Sequence, residues 1–110
     1  MSVKDTDKVD RIGIDEKDNC LVLLIIDPYG FVIDEKSHLY ALQEKLNNYI
    51  GFIKTKEYNR IYENKEFTSF RIEIAFKYEP SDNCARFLAE CRHALKDEGI
   101  RLKYFTAEVG

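Results

Sequence analysis

The side chains of this chain with the makings of chemistry are two histidines, three cysteines and a surplus of carboxylates. Asp27, Asp34 and Glu35 surround the segment that follows the most apolar run, and His38 lies one helical turn further on. A carboxylate beside an imidazole is the pair that general acid–base catalysis uses, and α/β folds often place sites beyond the C-terminal ends of strands. Turns and helix starts favour the same residue types, so a structural role fits them equally. Neither histidine gathers a metal-ligand set at helical spacing: His38 meets Ala41 and Leu42, and His93 meets Lys96 and Asp97. Cys91 lies two residues from His93, on a divergent helical face.

A cysteine nucleophile needs a positive surrounding and a nearby base. Cys84 stands near a helix start, but the apolar stripe of that helix claims it. A disulfide to Cys91 is excluded by length: seven helical residues rise about 10.5 Å, beyond the ~7 Å that a disulfide spans between Cα atoms. No Gly-x-Ser-x-Gly, phosphate loop or dinucleotide fingerprint occurs. The segment 54–66 interleaves Lys54, Lys56, Arg60 and Lys65 with Tyr58 and Tyr62. Stacking and phosphate neutralisation on single-stranded nucleic acid would use such residues. Glu57, Glu63 and Glu66 nearly cancel the charge, so a solvated loop with its tyrosines folded inward is the simpler expectation.

These residues must be positioned by a small scaffold. The 110 residues suit one domain, with 1–7 as a flexible start. An apolar fraction of 45% with 34% charged residues is that of a globular protein rather than a disordered one. The net charge of −3 argues against wholesale electrostatic binding to nucleic acid or anionic membrane. The longest apolar stretch, Leu21 to Ile26, is far shorter than the ~20 residues of a membrane-spanning helix. A charged start without a hydrophobic segment and an odd cysteine count fit a cytoplasmic protein.

Periodicity then sets the elements. Residues 8–15 read as a strand, with Gly13 and the off-phase Val9 suggesting a bulge or a close backbone approach. Residues 20–27 form the strongest strand and a hairpin with the first. Leu39, Leu42, Leu46, Tyr49, Ile50 and Ile53 recur at helical steps from about 36 to 54, with Asp34 or Ser37 as cap. Phe70, Ile72, Ile74, Phe76 and Tyr78 alternate with polar residues, as in a strand with one wet face. Pro80-Ser81 opens a second helix carrying Cys84, Phe87, Leu88, Cys91 and Leu95, and Gly99 stops it. Residues 100–106 make the last strand. The order β-β-α-β-α-β implies an α+β two-layer sandwich, with a mixed four-stranded sheet and both helices on one face.

One strand breaks that plan, since residues 20–26 are apolar on both sides. The expectation is that Leu21, Leu23 and Ile25, with Phe105 of the last strand, form an outer apolar row. Three exposed large aliphatics would forfeit ~1.5–3 kcal/mol each relative to burial. Either the chain covers the row itself or another molecule does.

The run His38-Leu39-x-x-Leu42-Gln43-x-Lys45-Leu46-Asn47-x-Tyr49-Ile50-x-Phe52-Ile53 resembles the signature helix of a bacterial family of small, uncharacterised stand-alone domains. Lys8-Val9-Asp10-x-Ile12-Gly13-Ile14-Asp15 and Lys77-Tyr78-x-Pro80-Ser81 resemble its pattern as well. Tyr29 or Phe31 stands where that family often carries Trp. The resemblance implies a stand-alone bacterial cytoplasmic protein and transfers no catalytic residue. On helix one, Gln43 and Asn47 are i,i+4 neighbours able to face one partner or the adjacent loop.

With no catalytic constellation, the leading expectation is a non-enzymatic protein-interaction module, a homodimer or the partner of another protein, with an immunity or antitoxin protein as one form. No cofactor or metal is implied. The alternatives are a small-molecule binder or enzyme using the Asp27–His38 loop, or a weak single-stranded nucleic-acid binder through residues 54–65.

Overall fold

A computed structural model describes residues 9–31, 34–63 and 65–107, so the expected flexible start at 1–7 lies outside the described residues. The element order is β1 (Arg11–Asp15), β2 (Cys20–Asp27), α1 (Glu35–Lys54), a 3₁₀ turn (Glu57–Arg60), β3 (Ser69–Phe76), α2 (Asp82–Lys96) and β4 (Ile100–Thr106). The four strands form one mixed sheet in the order β1-β2-β3-β4. β1 runs antiparallel to β2, whereas β2, β3 and β4 are parallel. Both helices connect parallel neighbours in the same direction across the sheet. Right-handed crossovers place two such helices on the same face.

The core lies on that face. Leu21, Leu23, Ile25, Ile72, Ile74, Phe76, Ile100 and Leu102 join Leu42, Leu46, Tyr49 and Ile53 of α1 and Cys84, Leu88 and Leu95 of α2 in one buried cluster. The register explains the alignment: Ile12 and Ile14 pair with Leu23 and Leu21, while Ile72 and Ile74 pair with Leu23 and Ile25. Side chains at paired positions point to the same side of a sheet.

That register reverses the facing expected for β2. Leu21, Leu23 and Ile25 are 0% exposed beneath the protein's own helices. The row turned away from the helices is Val22, Leu24 and Ile26. A strand apolar on both sides gives alternation nothing to choose between. The neighbouring strands choose, because only one phase aligns the larger Leu and Ile side chains with theirs. Phe105 does face outward as expected and is 43% exposed.

Smaller corrections have equally local causes. β1 pairs residue for residue with β2, and a Cβ at Gly13 would meet nothing within 4 Å, so neither bulge nor close approach occurs there. Asp34 precedes α1 in a left-handed conformation and makes no side-chain cap. Ser81 does cap α2, accepting from the Cys84 amide at 3.2 Å. Tyr78 lies beyond the end of β3 and is 49% exposed rather than inward. Gly99, at φ 76°, takes the left-handed position that ends α2.

Candidate functional site

Two buried polar clusters hold α1 to the sheet. Asp27 ends β2 on its core face, and His38 lies in the first turns of α1. His38 Nε2 lies 2.6 Å from Asp27 Oδ2, and Nδ1 lies 3.0 Å from the Gly30 carbonyl. A carbonyl oxygen only accepts, so the tautomer with hydrogen on Nδ1 satisfies the Gly30 carbonyl. The Tyr29 amide donates to the other Asp27 oxygen at 3.1 Å. Phe31 stacks on the imidazole with centroids 4.0 Å apart. Asp27 is fully buried and His38 only 4% exposed. Asp34, by contrast, points to solvent.

This arrangement closes the β2–α1 connection. Both ring nitrogens and both carboxylate oxygens have partners within the protein, and both side chains are buried. The Asp27–His38 loop thus joins the predicted pair, but as an internal brace.

The second cluster joins residues that lie far apart in the sequence. Lys45 Nζ donates to Asp10 Oδ1 at 2.8 Å, and neither side chain has any exposure. The other Asp10 oxygen accepts from the Ile26 amide at 2.9 Å, on the stretch of β2 beyond β1. The Asp10 amide donates to the Tyr49 hydroxyl, which donates in turn to the Leu24 carbonyl, both at 2.7 Å. Burial raises the Tyr49 hydroxyl above its usual range, which keeps it neutral for that relay. Lys45 and Tyr49 are four residues apart on one face of α1, and this spacing was the available signal. Gln43 and Asn47, the i,i+4 neighbours of the same helix, are exposed.

Burial also pushes the Cys84 thiol up to about 12, with the nearby Asp27 adding to the effect, so this cysteine is an inert core residue. All three cysteines are free thiols. Among the described residues, no three His, Cys, Asp or Glu side chains converge to hold a metal ion. No described helix is long and apolar enough to cross a membrane.

The segment proposed for nucleic acid folds partly into the 3₁₀ turn. Tyr58 is buried against Phe67 and Phe70, with ring centroids 5.4 and 5.7 Å away. A cleft of about 1000 Å³ lies beside them, lined by Lys56, Asn59, Glu63, Lys65 and Glu66. Its cations and carboxylates alternate, and its tyrosine is spent on the core.

Among the described residues, the outer face of the sheet, turned away from the helices, is partly exposed. Val22, Leu24 and Ile26 run along β2 there, and Phe105 lies at the level of Ile26 beyond the buried Ala75. Arg11, Arg71, Arg101 and Lys103 share the face with Asp15 and Glu73. Arg71 bridges the two carboxylates, at 2.6 Å to Glu73 and 3.4 Å to Asp15. A shallow groove of about 310 Å³ crosses this face over Gly13, Val22 and Leu24.

The described residues define a small α+β domain whose two buried polar pairs brace α1 against the sheet. Over residues 1–108 the chain matches the family of unknown function DUF6572, and it belongs to that family. No curated protein and no solved structure matches it.

Proposed function

We propose that the chain is a non-enzymatic protein-interaction module that binds another protein chain on the outer face of its sheet. The observation that supports this reading is the outward row Val22, Leu24 and Ile26, each partly exposed, with Phe105 at 43% exposure on the same face. An apolar strip rimmed by charges is the usual anatomy of such a surface. Leu21, Leu23 and Ile25, expected to make this contact, take no part in it, because those side chains are buried in the core. Phe105 stays in the proposed surface.

In the same reading the chain is a bacterial cytoplasmic protein, and an immunity or antitoxin role is one form of it. Its test is a photo-reactive side chain placed at position 105, with position 40 as control, since Tyr40 is 64% exposed on α1. A discrete protein adduct at 105 and none at 40 supports the reading. An adduct whose second component is this same chain identifies the contact as a homodimer.

A further inference from the structure

The open edge of β4 adjoins the outer face, and its backbone groups follow a definite phase. The Ala107 amide donates to the Phe76 carbonyl at 2.8 Å, so the odd-numbered residues of this strand turn their backbone groups toward β3. Leu102 and Tyr104 therefore turn theirs to the open edge. Arg92 of α2 reaches that edge: its Nε donates to the Leu102 carbonyl at 3.1 Å, and its guanidinium lies 5.7 Å from the Tyr104 ring centroid. An exposed arginine thus occupies the position where the N–H of a fifth strand would sit.

The outward side chains nearest that edge are Arg101, Lys103 and Phe105, two cations followed by one aromatic. Resting on the protein-interaction reading above, the geometry points to β4 as the edge that takes an extended segment of the partner, with acidic residues at alternate positions. Main-chain bonds to Leu102 and Tyr104 supply the pairing, as in other cases of strand addition. Carboxylates placed across from Arg101 and Lys103 supply the selectivity. A second copy of this chain is disfavoured as occupant. An antiparallel pair of β4 strands centred on Leu102 would set Arg101 and Lys103 against the same two cations.

The test uses the intact chain and two synthetic peptides, one alternating Glu with Val and one alternating Lys with Val. Amide hydrogen exchange is read at Leu102 and Tyr104. The acidic peptide should slow both amides at least tenfold, and the basic peptide should leave them unchanged. Arg92→Ala should bind the acidic peptide more tightly, because the Leu102 carbonyl is then unoccupied. Unchanged exchange at millimolar acidic peptide, in both wild type and Arg92→Ala, would overturn the inference and leave Arg92 as a guard against unwanted pairing. So would dimerisation of Arg92→Ala without peptide, or equal slowing by a single-stranded oligonucleotide. Failure here together with a discrete adduct at position 105 would remove the edge alone, whereas loss of that adduct would remove the broader reading.

Discussion

Lys45 and Asp10 stand 35 residues apart in the chain and meet at 2.8 Å, with neither side chain exposed to water. One lies on the helix and the other just before the edge strand β1, so their contact fixes the start of the sheet to α1. Asp10 also satisfies the Ile26 amide where β1 no longer runs alongside β2.

Removing one partner of such a pair strands the other charge in the core. Lys45→Met should lower stability by ~3–5 kcal/mol, as for other broken buried pairs. Chemical denaturation of Lys45→Met against wild type reads this directly. A loss within experimental error would mean that Asp10 finds a substitute partner.

Asp10→Asn should also destabilise, and its cost should not add to that of Lys45→Met. Residues in direct contact couple by ~0.5–3 kcal/mol in double-mutant cycles. A cycle closing to zero would show that the two side chains contribute separately.

The His38 ring should carry hydrogen on Nδ1, because its neighbour at 3.0 Å is the Gly30 carbonyl. Long-range nitrogen–proton correlation spectra of His38 distinguish this from an unprotonated Nδ1. His38→Gln should lose the stack on Phe31 and loosen the β2–α1 connection, seen as faster amide exchange at Tyr29. Unchanged exchange there would argue against a bracing role.

Alkaline pH should weaken the fold through Cys84. Its thiol is raised from an ordinary 9.0 to about 12 by burial first and by Asp27 second. The folded form keeps the neutral thiol while the unfolded chain ionises. Its contribution is therefore fully present below pH 9.0 and is lost as pH rises toward about 12. Native protein at pH 8 should accordingly leave Cys84 unlabelled by iodoacetamide long after unfolded protein has reacted. Comparable labelling rates would contradict its burial.

How far the sequence could be read depended on how one-sided each pattern was. The stripes of α1 and α2 and the alternation in β3 each admit one facing, and the element order follows from them. β2 admits two, because Val22, Leu24 and Ile26 are nearly as apolar as Leu21, Leu23 and Ile25. Only pairing with Ile12, Ile72 and Ile74 decides between them, and pairing is a long-range fact. The Asp27–His38 pair was visible as proximity along the chain. The Asp10–Lys45 pair was not, since a lysine on a mostly apolar stripe reads as a solvated residue until its distant carboxylate is found. Arg92 carried no local signal either, because its partner is a backbone carbonyl.

The central claim, that the outer sheet face is the working surface, is tested most directly by binding. The protein crosslinked at position 105 would be identified, purified and titrated against wild type, Leu24→Lys and Tyr40→Lys, with circular dichroism confirming that each variant is folded. Leu24→Lys should weaken binding by at least tenfold, and Tyr40→Lys should leave it unchanged. Equal affinities for all three proteins would contradict the account.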